Sequence, residues 1–224
     1  MFTYAIIQSF SYPSTIEGYT FDLDGGFAGA ADFTYPAGIL ENDLIIAALD
    51  TSENGATTWS TPSGYTKLHE ENGAGLITAI EYKVALGTES GAISFSSNGS
   101  GRKAALLWVI RGADPAAPIN DWSVFVDAAP GTPNDFEVSD VTTTKSGCRG
   151  IVFAMCSGSG TAGKVVVPMT DYTEINNSGN GTYPYVAGST VDNVGGIGTY
   201  GGTVNWTGTS ISSIHNYFLA IAPA

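Results

Sequence analysis

The sequence predicts an all-β chain, a two-sheet antiparallel sandwich of jelly-roll-like type, and three observations carry that prediction. Apolar residues recur at spacing two or in short β-branched runs and seldom at three and four, so amphipathic helices are not encoded. Glycine fills 29 of 224 positions, nearly twice the usual share of about 7%, and supplies frequent turns. The third observation is a weak internal two-fold repeat. LIIAAL from Leu44 lands, 107 positions on, on IVFAMC from Ile151. The same offset carries Tyr65, Thr66 and Leu68 onto Tyr172, Thr173 and Ile175, and Val84 onto Val191. With a few inserted residues Phe95 then matches Trp206 at offset 111, and Trp108 in LLWVIRG meets Phe218 in the terminal YFLAIAP at offset 110. Two similar runs of strands are what a doubled sandwich such as a jelly roll contains.

Along the chain, residues 19–23 open the series as a short alternating strand. Residues 43–49 and 104–110 are nearly continuous apolar runs, which fits central strands covered on both faces by a sheet and a loop or partner. Pro62-Ser63-Gly64 is a turn that presents Tyr65 to the core, so a strand follows at 65–70. Residues 76–84 and 92–96 come next, closed by Asn98-Gly99. Arg111-Gly112 with Asp114-Pro115 ends the 104–110 strand with a charged stop and a rigid corner. The second half supplies strands at 123–127, 135–141, 150–156, 164–167, 172–175, 185–191, 202–206 and 214–221, with Asn180-Gly181 among its turns. Residues 1–38 are expected to be an N-terminal arm or extra strands, and 39–224 a single sandwich domain.

Charge narrows the function. The chain carries 21 acidic and 8 basic side chains, a net −13, so nucleic acid and anionic lipid would be repelled over most of its surface. With 43% hydrophobic and 13% charged residues, it has the material for a core and is not a disordered acidic tail. No stretch approaches the roughly 18 apolar residues of a membrane span. MFTYAIIQSF lacks a basic residue before its apolar run, and synthesis and folding in a cytoplasm are expected. Cys148 and Cys156 lie too far apart along one strand to bridge and read as free thiols, Cys156 buried.

The chemical motifs fail one by one. GSGTAGKV places Gly158, Gly163 and Lys164 at phosphate-loop spacing, but Val165 stands where Ser or Thr must hold magnesium. The β-branched Val165, Val166 and Val167 open a helix poorly, so a Gly-rich hairpin is expected. Asp22-Leu23-Asp24-Gly25-Gly26 falls short of a calcium loop, and Tyr200 replaces the liganding Asp in the roll-like GGIGTY. His69 and His215 are the chain's two histidines, and both read as solvated edge residues without a nucleophile beside them. Two cysteines and two histidines lack finger spacing for zinc. Glu81, Asp121, Asp127 and Glu137 are left as carboxylates that could meet across a cleft for glycoside hydrolysis. No catalytic residue, metal ligand set or cofactor is predicted.

Several segments share a pattern: ENDLIIAAL, TPSGYTKLHE, AIEYKVALGTESGAISFS and AALLWVIRGADPAAPIN, from Ile39 to Asn120. Asn42-Asp43-Leu44 opens the first and Tyr65 stands where a Trp is usual in the second. Tyr82-Lys83-Val84-Ala85 with Gly87 and Glu89 gives the third, and Arg111-Gly112-Ala113-Asp114-Pro115 the fourth. The chain thereby resembles a β-sandwich domain that recurs in tailed-phage virion proteins, whose terminal strand FLAIAPA also matches. The resemblance implies a non-enzymatic virion component, a decoration, head-fibre or tail-fibre module in contact with major capsid or tail proteins. A homo-oligomer, with a trimer as one form, is expected, and no coiled coil or collagen-like segment marks a long fibre. Phe2, Tyr4, Ile6, Ile7 and Phe10 form an apolar set that would complete a sheet or contact a partner subunit. The alternative is a module gripping host glycan through the loop aromatics Tyr183, Tyr185 and Tyr200.

Overall fold

The structure, a computed structural model, describes residues 15–24, 30–53, 57–73, 75–128, 135–158, 165–167, 173–178, 185–191, 196–207 and 211–224. Among these residues the chain forms sixteen strands and no helix, so it is an all-β protein of antiparallel sheets. The first half holds β1 (Thr15–Asp24), β2 (Ala30–Thr34), β3 (Glu41–Thr51), β4 (Trp59–Ser60), β5 (Thr66–Gly73), β6 (Leu76–Leu86), β7 (Ala92–Ser97) and β8 (Lys103–Arg111). The second holds β9 (Ile119–Asp127), β10 (Asp135–Thr143), β11 (Arg149–Gly158), β12 (Val165–Val167), β13 (Thr173–Ser178), β14 (Tyr185–Val191), β15 (Gly198–Thr207) and β16 (Ile211–Ile221). All fourteen segments read from the sequence overlap a strand. The two that were not read are β2, part of the segment expected as an arm, and the two-residue β4.

The strand order is the same in both halves. A five-stranded sheet β1-β8-β3-β6-β5 and a three-stranded sheet β2-β7-β4 form the first, and adding eight to each number gives the second, β9-β16-β11-β14-β13 and β10-β15-β12. Of residues 1–38, those at 15–24 and 30–34 are strands of the first two sheets: β1 pairs with β8 from Thr15 opposite Arg111 to Asp24 opposite Lys103, and β2 pairs with β7. Phe2, Tyr4, Ile6, Ile7 and Phe10 lie outside the described residues.

Three apolar layers separate the four sheets. Ile45, Ala47 and Leu49 of β3 pack with Phe33, Trp59 and Phe95 inside the first half. Val152, Ala154 and Cys156 of β11 do the same with Phe136, Val138 and Val204 in the second. The third layer lies between the halves. Leu44, Ile46 and Ala48 of β3 and Leu106, Trp108 and Ile110 of β8 meet Ile151, Phe153 and Met155 of β11 and Tyr217, Leu219 and Ile221 of β16. The near-continuous apolar runs in β3, β8 and β11 follow: alternate side chains go to opposite faces, and both faces of each five-stranded sheet are covered. Trp108 and Phe153 meet edge-on across this layer at 5.0 Å. Trp108 also lies over Gly188 of β14, where an added Cβ would come within 3.0 Å of three indole atoms.

Register corrects part of the repeat. Leu44 and Ile151 do face the shared layer together, as the offset of 107 requires. In the ladders, however, Leu44 lies opposite Val84 and Ile110, whereas Ile151 lies opposite Thr190 and Leu219. Val84 therefore corresponds to Thr190, and Trp108 to Tyr217. Phe218 faces the other way, into the second half's own core. A slip of one residue turns every side chain to the opposite face, so offset 110 joins residues from different layers.

The connection from β8 to β9 is pinned to the chain's last residues. Asp114 N–H donates to Ala222 C=O at 2.9 Å, Ala222 N–H to Pro118 C=O at 2.8 Å and Ala224 N–H to Gly112 C=O at 2.9 Å. Pro115, Ala116 and Ala117 are exposed. A protease site inserted after Ala116 and then cut should leave both halves eluting together at the uncut size in gel filtration at pH 7, because the shared layer holds them. Gly188→Ala should cost about 1–3 kcal/mol by overpacking against Trp108, and Trp108→Ala about 3–5 kcal/mol by leaving a cavity, both read from urea unfolding.

Candidate functional site

The chemically richest place in the described residues is one end of the shared layer. Each contributing strand ends its inward alternation in a polar residue: β3 runs from Ala48 to Asp50, β6 from Ile80 to Thr78, and β16 from Tyr217 to His215 and Ser213. All five of these polar groups, Asp50, Thr78, Ser213, His215 and the Tyr217 phenol, belong to residues with 0% exposure. Thr78 Oγ1 lies 2.8 Å from His215 Nδ1 and 2.9 Å from the Tyr217 hydroxyl. The Tyr217 hydroxyl also reaches the Thr78 carbonyl at 3.4 Å. Thr78 is in the first half and both partners are in the second, so these bonds cross between the sheets.

His69, on edge strand β5, reaches the same end from the other side. Its ring lies 4.9 Å from that of Trp122 and 6.1 Å from that of Tyr217, and its Nε2 is 3.2 Å from Glu71 Oε2. Burial, with the nearby His69 second, pushes His215 down to about 4, and burial pushes the Tyr217 phenol up. The solvated-edge expectation is thus wrong for His215, which is fully buried on an interior strand; His69 does lie on an edge strand and is part-exposed, with its ring against Trp122. Strand parity carried the missing signal: His215 sits two residues from Tyr217 and four from Leu219, on the covered face. A hydroxyl hydrogen-bonded to an imidazole has the form of a nucleophile and its base. Here neither atom is reached by solvent, so the pair serves as a neutral hydrogen-bond network between layers.

The residues that carry the sequence pattern are clamps and turns. Asn42 holds φ at 71°, a left-handed conformation that Asn tolerates better than most residues. It thereby places the nearly buried Asp43, which accepts from the Leu40 N–H at 2.8 Å. Arg111 grips Asp43 with Nε and Nη2 at 3.0 and 2.9 Å and reaches Glu17 and the Gly38 carbonyl, each at 3.0 Å. Gly87, with φ 75°, passes so close to Glu41 that a Cβ would sit 2.8 Å from its backbone nitrogen. Next to it Glu89 closes the turn. Burial would raise this carboxyl, but N–H donation from Leu86, the Lys83 ammonium and its own backbone bring it down to about 2. Tyr65 is buried as the turn predicts, edge-on to Phe95 at 5.0 Å, its hydroxyl sharing a 3.2 Å hydrogen bond with that of Tyr35.

The other expected residues are scattered. Tyr185 is 3% exposed and packed in the second half's core, so its ring offers no face to a sugar. Tyr200 is half-buried and donates its hydroxyl to Gly196 C=O at 2.7 Å, while Tyr183 lies outside the described residues. Glu81 faces the first half's own core side, pushed up by burial, and accepts from Thr61 at 3.1 Å. Asp121 accepts from the Thr142 N–H at 2.6 Å, on the far face of the second half. Two sheets lie between them, so they form no hydrolytic pair. Val165–Val167 is a strand, paired with β15, and Cys148 and Cys156 are buried free thiols. Among the described residues no group of three or more His, Cys, Asp or Glu is placed to hold a metal.

One open groove of about 520 Å³ runs over the outer face of the second half, lined by Glu137, Val138, Ser139, Asp140, Gly202 and Thr203. It forms where the β10–β15 register shifts between Val138 and Val141, a bulge that re-aims side chains. No protein family, curated relative or solved structure matches the chain.

Arg111→Gln leaves Asp43 2% exposed without its bidentate partner. With Arg111 itself 36% exposed, solvent screening reduces the effect, and a loss of about 1–3 kcal/mol is expected in thermal or urea unfolding.

Proposed function

We propose that the chain is a non-enzymatic structural component of a tailed-phage virion, a capsid decoration protein of cement or head-fibre type. The observation that carries the reading is the strand order. An eight-stranded jelly roll sets its first, eighth, third and sixth strands side by side, with the second, seventh and fourth opposite, a fold used in viral shells. That order occurs twice here, with the fifth strand moved to the edge of the larger sheet. The resemblance of the Asn42-Asp43-Leu44, Lys83 to Glu89 and Arg111 to Pro115 segments to virion β-sandwich domains supports the same setting. Its partners would be major capsid or tail proteins and further copies of itself.

The acidic surplus suits this role. A surface with net −13 stays clear of packaged nucleic acid and of neighbouring particles. Labelled antibody against the chain should decorate purified particles in negative-stain images at regular shell positions, and its absence from particles that carry their other structural proteins would sink the reading.

A second reading, a tail-fibre or baseplate module that binds host glycan, draws on the groove over β10. Carboxylates of Glu137 and Asp140 with the Thr203 hydroxyl give a polar floor of the kind that accepts sugar hydroxyls, and Tyr200 stands opposite Val141 beside it. A glycan array separates the two readings: no saccharide above background leaves the shell role standing alone.

A further inference from the structure

Each half of the chain contributes one histidine, and each histidine reaches into the opposite half. His215 of β16 is bonded to Thr78 of β6, and His69 of β5 lies against Trp122 of β9 and Tyr217 of β16. The sheets are held at this end by polar contacts between the halves, whereas at the layer's other end the buried Arg149 and Thr190 bond within the second half. His215 Nδ1 is occupied by Thr78, and its Nε2 is buried with no hydrogen-bond partner. A Cβ on Gly73 would lie 3.5 Å from Nε2 and 3.7 Å from a Val126 methyl, so Gly73 and Val126 close in on that side. A neutral imidazole fits such a place, with one nitrogen bonded and the other at small cost. An imidazolium carries two N–H donors and a full charge, and one of those donors is buried without an acceptor.

We propose that this end of the layer is an acid-operated latch: neutral His215 closes it against Thr78 of the opposite half, and protonation of His215 opens it locally, parting β5 and β6 from β9 and β16. The groups facing this space are His69 and Glu71 from β5, Asp50 from β3, and Tyr217 from β16 itself. Thr78 of β6, Val126 of β9 and Met155 of β11 add no charge, and Glu70 lies on the other face of β5, paired with Lys67 at 2.6 Å. Of the charged neighbours, Glu71 is already 3.2 Å from His69, and of the groups facing this space it is His69 that acts on His215, disfavouring its charge.

The direction follows from linkage. A buried histidine held at about 4 in the folded state, against an ordinary 6.5 when released, takes up its proton on opening. The closed form is fully favoured above about 6.5 and loses ground as pH falls toward about 4. Within that window the opening constant rises by up to about tenfold per pH unit, one proton per event.

The test follows amide hydrogen exchange of the whole chain from pH 7 to 4, corrected for intrinsic exchange chemistry, together with the ring resonances of both histidines. Amides at 76–80 and 213–217 should lose protection by up to about tenfold per pH unit, while those at 44–48 and 151–153 keep theirs. His215→Asn retains an acceptor for Thr78 and takes no proton, so its exchange should be flat over the range. His69→Gln removes the repelling charge and should weaken the pH dependence. Equal loss of protection in wild type and His215→Asn would overturn the latch, as would a His215 resonance titrating near 6.5 with no change in exchange. Should His215→Asn not fold, the wild type and His69→Gln decide. Exchange that moves in step with the His215 resonance supports the proposal, and exchange that rises without it refutes it.

Discussion

The apolar layer between the two five-stranded sheets is the constraint on which the rest of the molecule depends. A sandwich needs one covered face per sheet, and the small sheets β2-β7-β4 and β10-β15-β12 already provide it. The second faces of the large sheets would be exposed patches of Leu, Ile, Phe, Trp and Tyr, far beyond what a soluble surface carries singly. Packing the halves face to face removes both patches at once. That solution fixes local details in turn. Trp108 requires a glycine opposite it, which Gly188 supplies, and the β8–β9 connection has to be short and pinned so that the second large sheet returns onto the first.

This explains how far the fold was legible. Strands 3, 8 and 11 declared themselves through runs such as LIIAALD, because double burial removes the polar alternation that would otherwise mark a face. Two strands did not. β2 reads AADFT, with only Ala31 and Phe33 turned inward, and so little apolar material gives no signal in isolation. β4 is two residues long and is held by pairing with β7. Hydrophobic runs alone are blind to face: at Trp108 either Tyr217 or Phe218 satisfies a hydrophobicity match, and the ladder alone selects Tyr217.

His215 escapes the sequence pattern for a related reason. A polar residue in a strand suggests an exposed face unless the parity of its neighbours is followed through to the end of the strand. His215 shares parity with Tyr217, Leu219 and Ile221, three residues of the shared layer, and that alone predicts burial. What no single strand contains is its partner. Thr78 lies 137 positions away, brought close by packing between layers, where no backbone ladder links them. By contrast, the Asp43–Arg111 clamp joins neighbouring strands β3 and β8, and the pattern residues around it announce their turns through Asn42, Gly87 and the Asp114-Pro115 corner.

The polar end of the shared layer also bears on why this interface has a unique register. An all-apolar layer between two twisted sheets tolerates sliding, since one Leu or Ile is nearly as good as the next in a given hole. A bonded trio of Thr78, His215 and Tyr217 does not, because a shift of one residue pair, several ångströms along a strand, would leave three buried polar groups without partners. The few residues that destabilise the layer on their own account thus select one alignment of the halves. A residue suited to that task is one whose neutral form bonds well and whose charged form does not, and this property also makes the same contact sensitive to acid.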